Sequence, residues 1–375
     1  MPEVLHVIND LNTGGAEKLL KNLIPVLQEK GINCSILMLD GKDTFISMEL
    51  SEKYNIILNY AGKDLNIYNP FIIFKLRPYL KNYDIIHAHL FPSQYWIAIA
   101  KKIFSLKSVL ITTEHSPDNK RRRLLILRLF ERFIYRQYKY VIAVSGNAAE
   151  SMRKHLNEFS QRIRIIENGI DIKNISDAIP YSKDELIPGC SINIKLILNV
   201  ARFHKTKDHA TLIKSMLHLP EDHHLVLVGE GELKSSSIEL VKELNLESRI
   251  HFLGARQDVE RILKSIDIVI MSSFYEGLSL SAIEGMASGK PLIASDVAGL
   301  HEIVKDAGLL YEPGNPADLA EKIILLLENK DYSEMIAKRC MKKAMNYNIE
   351  KTADSYCKIY QSALSDIDNL TVTCP

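Results

Sequence analysis

Short, continuous apolar runs alternate along the chain with longer segments in which apolar residues recur at helical spacing. Val4-Leu5-His6-Val7-Ile8, then an amphipathic stretch from about 16 to 27, then Ser35-Ile36-Leu37-Met38 read as a βαβ opening. The runs 85–88, 109–112, 140–144 and 163–166 are similar in kind. Strands that are apolar without alternation are covered on both faces, so these runs predict one parallel sheet. From 171 to 192 no periodicity is sustained, and Pro180, Pro188 and Gly189 interrupt the chain, which predicts a linker. A second series of strand-like runs follows at 195–200, 225–228, 250–253, 268–271 and 292–294, again separated by helix-sized segments. From Pro316 onward the pattern is helical. The expected class is α/β, with two Rossmann-like, doubly wound domains at 1–175 and 193–345 and a C-terminal helix and tail at 346–375.

Size and charge sharpen this picture. At 375 residues the chain exceeds what one core usually spans, so two domains of roughly 180 residues are expected. A hydrophobic share of 46% with 25% charged residues makes a folded globular chain the expectation and disorder the exception. The net charge of +1 gives no case for nucleic-acid binding. Cys34, Cys190, Cys340, Cys357 and Cys374 are odd in number and lack C-x-x-C spacing, which argues against a disulfide framework or a structural zinc site and fits a reducing cytosol. The N-terminus lacks a basic, long-apolar leader and no run of eighteen apolar residues occurs, so a cytoplasmic protein that does not span a membrane is expected.

The candidate chemistry lies just after the strand-like runs, where open α/β sheets bind ligands. Glu276 follows the run 268–271, and Glu284 lies about two turns further on, at ~3.6 residues per turn, in a helix-like segment ending at Gly289 and Pro291. One carboxylate would lie near a reacting group, and the other could accept hydrogen bonds from a diol. Arg202 and Lys207 follow the first strand of the second series. They are either chance charges on a solvated loop or a clamp of guanidinium and ammonium for a leaving diphosphate. Gly14-Gly15 opens the first long helix and is either a tight turn or a phosphate contact. Gly229-Glu230-Gly231 begins like a dinucleotide fingerprint, but Lys234 stands where the third glycine belongs, which counts against NAD. His87 and His89 share one face of a strand, yet no third metal ligand is evident in the sequence, so they are read as packing or edge residues. The one D-x-D match, Asp366-Ile367-Asp368, lies in the tail and reads as a solvated run.

Residues 118–140 hold eight basic side chains against Asp118 and Glu131. As a helix the segment has Arg121, Arg128, Arg132, Arg136 and Lys139 on one stripe, with Ile126, Leu127, Phe130, Phe133 and Ile134 opposite. The apolar face is expected to pack on the first sheet. The basic stripe is either solvated or, across residues 120–139, meets an anionic membrane surface.

These motifs, taken in order and spacing, resemble the family 4 glycosyltransferases of the GT-B fold. The matching elements are Glu276 and Glu284 as E-x7-E, Arg202 and Lys207 as R-x4-K, Gly14-Gly15-Ala16-Glu17, Thr113-Glu114-His115, Asp84-Ile85-Ile86-His87-Ala88-His89, Asn168-Gly169-Ile170-Asp171, Gly229-Glu230-Gly231, and the segment ending Gly254-Ala255-Arg256. The resemblance implies two domains facing each other across a cleft, the first for the acceptor and the second for an NDP-sugar, with C-terminal helices crossing back to the first. It implies retaining transfer of a hexosyl or N-acetylhexosaminyl unit, UDP-linked, to a glycan or polyprenyl-diphosphate-linked acceptor in surface-polysaccharide synthesis. Arg202, Lys207 and the helix start at Leu278, Ser279 and Leu280 would stabilise the diphosphate. Glu276 would orient the sugar, Glu284 would take the ribose hydroxyls, His115 would touch the sugar, and the backbone near Gly229 and Arg256 would meet the nucleotide. No cofactor or metal is expected. Glu276-Gly277-Leu278-Ser279 departs from the E-G-F-G or E-G-L-P of many members, which bears on sugar choice. A sugar-nucleotide epimerase of the same fold, or a two-lobed sugar-binding protein, are the other classes.

Overall fold

A computed structural model of the chain describes residues 1–12, 14–62, 66–115 and 125–371. It divides into two compact units, one formed by 1–169 with 349–375 and the other by 170–348.

The first unit is built on β1 (Glu3–Ile8), β2 (Asn33–Met38), β3 (Ile57–Tyr60), β4 (Ile85–His89), β5 (Val109–Glu114), β6 (Tyr140–Ala143) and β7 (Ile163–Ile165), in the spatial order β3-β2-β1-β4-β5-β6-β7. Every pairing is parallel. Successive residues of a strand point to opposite faces, so Val4, Ile8, Ile36, Ile85 and Ile111 pack on one side, and Leu5, Val7, Leu37, Ile86 and Leu110 on the other. The first face is covered by the helix Gly15–Glu29 and by the C-terminal helix Ile349–Thr371, whose Tyr356 and Tyr360 are fully buried there. The expectation that the C-terminal helix returns to the first domain therefore holds. Lys30 reinforces the packing through ion pairs of 2.9 Å to both Glu350 and Asp354.

The second unit carries β8 (Lys195–Val200), β9 (His223–Val228), β10 (Ile250–Gly254), β11 (Ile268–Met271), β12 (Leu292–Ser295) and β13 (Leu309–Tyr311), again parallel, in the order β10-β9-β8-β11-β12-β13. Strands β3 and β13 have no counterpart among the runs read from sequence. Both are short edge strands with partly exposed residues, so neither shows a continuous apolar run.

The stretch 171–192, expected as a linker, belongs to the second unit. Asp171 caps the helix Ile172–Ser176, and a capping box of Ser182 and Glu185 starts the helix Lys183–Leu186. Ile172, Ile175, Leu186 and Ile187 are buried in the second core. Helices this short cannot display a period, which is why the pattern reads as irregular. The two crossings between units run side by side: Ile170 donates its N–H to the Tyr347 carbonyl at 2.8 Å, and a Cβ on Gly169 would lie 2.7 Å from the Ile349 Cα.

The basic helix spans Leu125–Arg136; of the apolar face expected from sequence, Ile134 is buried, Phe130 and Phe133 are not, and the side chains of Ile126 and Leu127 lie outside the described residues. Phe130 and Phe133 do not pack on the sheet; they are 41% and 47% exposed. Glu131, Ile134, Tyr135 and, just beyond the helix, Tyr138 are buried instead. The spacing 131, 134, 135, 138 is a helical stripe hidden by the acidic residue that begins it. Glu131 is tolerated because it accepts from the Tyr95 hydroxyl at 2.5 Å and faces His155 Nε2 at 2.8 Å. Lys139 is tied to the Ala363 carbonyl at 2.9 Å, and Arg136 is exposed. Arg121 and the rest of 120–124, like the side chain of Arg128, lie outside the described residues, as do the side chains of Asp366 and Asp368.

Candidate active site

In the second unit the strand order turns outward in both directions from the β8/β11 neighbours, the position at which open α/β sheets bind ligands. The loop after β8 carries Arg202 and Lys207, and the loop after β11 carries Glu276. The two loops are zipped together by backbone. Phe274 donates to the Thr206 carbonyl at 2.9 Å, Asp208 donates to the Ser272 carbonyl at 3.0 Å, and Lys207 and Ser273 form an antiparallel bridge. This brings Lys207 Nζ onto the Glu276 carboxylate, which also accepts from Ser273 Oγ at 3.0 Å. Both members of the ion pair are partly buried, and Arg202, on the same loop, is exposed.

The helix Leu280–Ala287 starts directly after this loop. Ser279, at its N-cap, makes no side-chain capping bond, and Leu278 is half-buried beside it. Glu284 lies in the middle of the helix and is 5% exposed. The loop after β9 supports the loop after β8. Gly229 (φ +146°) and Gly231 (φ +155°) approach it so closely that a Cβ would lie 2.1 Å from the Ala201 carbonyl oxygen and 2.3 Å from that of Phe203. These glycines are therefore required by backbone packing beneath Arg202. The Arg256 side chain is committed locally: Nε and Nη2 donate to the two carboxylate oxygens of Asp258 at 2.8 and 2.6 Å, holding that carboxyl well below the usual range.

Three residues that hold Glu276 in place escaped the sequence reading. Ser273 donates to its carboxylate. Ser295 Oγ, at the end of β12, donates to the Ser273 carbonyl at 2.7 Å and accepts from its N–H at 3.0 Å. Gly299 (φ +88°) lies so near that a Cβ would be 2.5 Å from the Glu276 carbonyl oxygen and 2.3 Å from that of Gly277. An isolated glycine after a strand is the one sequence signal that pointed to it.

In the first unit the corresponding turning point lies between β1 and β4. Gly14 is the N-cap of the helix Gly15–Glu29, extended at φ −130°, and has no side chain to block the first turn. A Cβ on Gly15 would meet nothing within 4 Å, so that position is open. His115, half-buried, follows β5. His87 and His89, expected as packing residues, are fully buried and joined by His6 of β1, which the sequence reading missed because nothing in it shows that β1 lies beside β4. Burial lowers all four imidazoles: His6 to about 3, His115 to about 4, and His87 and His89 well below the ordinary value.

Paired parallel-sheet units of this kind are the architecture of the GT-B class of nucleotide-sugar enzymes. The family model described as Glycosyltransferase Family 4 matches residues 13–174, and that described as Glycosyl transferases group 1 matches 192–343. The chain belongs to this glycosyltransferase family. It is 25% identical over 360 residues, 92% of this chain and 96% of the relative, to N-acetylgalactosamine-N,N'-diacetylbacillosaminyl-diphospho-undecaprenol 4-alpha-N-acetylgalactosaminyltransferase of Campylobacter jejuni. It is 26% identical over 294 residues, 75% of this chain and 76% of the relative, to UDP-Gal:alpha-D-GlcNAc-diphosphoundecaprenol alpha-1,3-galactosyltransferase of Escherichia coli. The crystal structure of Anabaena HepE in complex with UDP and glucose superposes with a TM-score of 0.81 at 20% identity, covering 96% of this chain and 100% of that one, a likeness of fold.

Proposed function

We propose that the protein transfers a hexosyl or N-acetylhexosaminyl unit from a UDP-sugar to a hydroxyl of a polyprenyl-diphosphate-linked glycan, with retention at the anomeric carbon and without a metal, in surface-polysaccharide synthesis. The observation that carries this reading is the fusion of the loops after β8 and β11, which fixes Lys207 against Glu276 with Arg202 on the same loop. Fixed cations at the carboxyl end of a sheet suit a task in which negative charge grows on the departing diphosphate. The amides of the first turn at Leu280 add the positive end of a helix dipole. An arriving diphosphate competes with Glu276 for Lys207, which frees the carboxylate to accept from sugar hydroxyls. Glu284 is read as the ribose contact, Gly14-Gly15 as a diphosphate contact and His115 as a sugar contact. The lipid-linked acceptors printed in the names of the Campylobacter and Escherichia relatives support the acceptor class.

Work at an anionic membrane surface is part of the proposal. No helix among the described residues is long and apolar enough to cross a membrane. Phe130 and Phe133, exposed on the helix that carries Arg132 and Arg136, combine aromatic and basic side chains as interfacial helices do.

The test is a panel of NDP-sugars screened by thermal shift, then by NDP release with and without a lipid-linked acceptor. A UDP-sugar is expected to stabilise the protein, and acceptor is expected to accelerate UDP release to give a product with the donor's anomeric configuration. Activity is expected to survive EDTA, since Arg202 and Lys207 supply the charge. Inverted product, or loss of activity in EDTA restored by magnesium or manganese, overturns the corresponding part.

A further inference from the structure

The buried histidines of the first unit form a connected chain that ends at the sheet's carboxyl edge. His6 on β1, His87 and His89 on β4, and Thr113 on β5 share one face of the sheet, beneath Tyr356 and Tyr360 of the C-terminal helix. His6 Nδ1 lies 3.1 Å from His89 Nε2, and His89 Nδ1 lies 3.3 Å from His115 Nε2. The His6 and His89 rings are 18° from parallel with centroids 5.3 Å apart, a separation that suits two rings joined edge to edge by a hydrogen bond. His87 stands outside the chain, its Nδ1 bonded to Tyr360 Oη at 2.7 Å and its Nε2 to Thr113 Oγ1 at 2.8 Å.

The ligand atoms of His6, His87 and His89 lie within 4.8 Å of one another, which formally allows a cation. Both nitrogens of His87 and both of His89 are already engaged in hydrogen bonds. Of the ring nitrogens of these three, only His6 Nε2 has no partner among the described residues, and it is fully buried. The nitrogens are therefore arranged as links between rings, and that single unpaired atom sets the direction of the chain.

A neutral imidazole carries one N–H and one bare nitrogen. Two consistent assignments exist. If protons point from His115 inward, His6 Nε2 is a buried N–H without an acceptor, which bears the full desolvation cost of an unmet donor, whereas most buried side-chain polar atoms are paired. If they point outward, His6 donates from Nδ1 to His89 Nε2, His89 donates from Nδ1 to His115 Nε2, and the unpaired His6 Nε2 is only a lone pair. The lowered basicity of all four histidines keeps them neutral at physiological pH, so the assignment is not blurred by a second proton.

We propose that His6 and His89 are positioning residues that hold His115 in the tautomer bearing its proton on Nδ1, so that the edge beyond β5 presents a hydrogen-bond donor to an oxygen of the bound substrate. This rests on reading His115 as a sugar contact. Among the described residues His115 Nδ1 has no hydrogen-bond partner, which leaves it for that role. A neutral donor of this kind selects an acceptor oxygen such as a hydroxyl, and it repels no cation nearby. The sequence positions 6 and 89 thereby acquire a function that neither has in isolation: the first residue fixes the second, which fixes the third.

The tautomer can be read in the full-length protein from histidine 15N resonances in long-range 1H–15N spectra, with His115 assigned by loss of its signal in His115→Gln. The unliganded parent is expected to show His115 protonated at Nδ1. His89→Asn keeps an N–H where Nδ1–H stood and is expected to leave that state unchanged. His6→Asp offers an acceptor in place of a donor, so His89 should turn its proton inward and His115 should then carry its own on Nε2. That variant is also expected to lose about tenfold in kcat/KM, the scale of one hydrogen bond. A parent His115 protonated at Nε2, or exchanging between both forms, overturns the proposal even if His6→Asp fails to fold. One equivalent of zinc shifting the His6, His87 and His89 resonances together would instead mark a metal site and also overturn it. If the tautomers are as expected but His115→Gln transfers sugar normally, the sugar contact is the part that fails, and the chain still stands.

Discussion

At the scale of single residues, charge on the second unit decides the outcome. Among the described residues Lys207 is the cation paired with the proposed sugar-orienting carboxylate, and backbone bonds fix the loop that carries it. Lys207→Ala should lower kcat by ~100-fold or more, the scale for losing one preorganised electrostatic group. A kcat near the parent's would remove the diphosphate role. The E-x7-E and R-x4-K spacings were legible because each is local in sequence. Gly299 and Ser295 were not, since their contacts with the Glu276 loop exist only once β12 lies beside β11. His6 was hidden in the same way, with its nearest partner 83 positions further on. The buried histidines also set a pH dependence. His6 falls from 6.5 to about 3 and His115 to about 4 because burial disfavours the charged ring. Below 6.5 the unfolded chain takes up protons that the folded unit refuses. Their stabilising contribution is therefore complete above that value and is lost progressively as pH falls toward the folded values. Between pH 6.5 and about 5, where most carboxylates remain ionised, the melting temperature should drop, and His6→Leu should flatten that slope. An unchanged slope in the variant would mean that the ring is hydrated in solution.

At the scale of elements, the basic helix shows what a hydrophobicity pattern misses. Its buried stripe contains Glu131 and two tyrosines, which look polar in sequence but are paired inside: Tyr135 Oη donates to Glu114 at 2.7 Å, and Tyr138 donates to the Gln94 carbonyl. Phe130 and Phe133 look like core but are largely exposed, with Phe130 meeting the Tyr95 ring edge-on at 5.7 Å between centroids. The exposed rings therefore belong in the test of membrane contact. Changing basic residues alone probes attraction, whereas Phe130→Ser with Phe133→Ser removes the exposed apolar anchor and keeps Glu131, Ile134, Tyr135 and Tyr138, so the protein should still fold with only the loss of the Phe130–Tyr95 ring contact to lower its melting temperature. Binding to vesicles containing anionic lipid should fall by about tenfold or more, since each phenylalanine buried from water is worth about 1.5–3 kcal/mol. Arg132→Glu with Arg136→Glu should weaken the remaining binding mainly at low salt, because screening shortens the field to ~8 Å at physiological ionic strength. Undiminished vesicle binding by the double serine variant would show that this helix face is only solvated.

At the scale of the whole molecule, the chain order and the folding units are interlaced. The two-sheet architecture was legible because parallel strands are covered on both faces and so stand out as continuous apolar runs. The exact ownership of 170–192 was not, since two helices of five and four residues leave no periodic trace. The second unit is one continuous segment, 170–348, with its own core. The first is completed only when the chain returns at Ile349, because Tyr356, Tyr360 and Ala363 close one face of its sheet. Without that helix the face would expose Val4, Ile85 and Ile111, and His87 would lose its partner Tyr360 inside an apolar layer. Cutting at these boundaries therefore has unequal consequences. Residues 170–348 expressed alone should melt cooperatively and should be stabilised by UDP, since the fused loops of Lys207 and Glu276 and the helix from Leu280 are all retained. Residues 1–169 alone should aggregate or melt without cooperativity, and adding the peptide 349–375 should restore a cooperative transition. If 1–169 folds unaided, the C-terminal helix is packing that the first unit can spare. If 170–348 folds but UDP leaves its melting temperature unchanged, the second unit does not hold the nucleotide by itself, and the diphosphate contact assigned to its loops needs residues from the first.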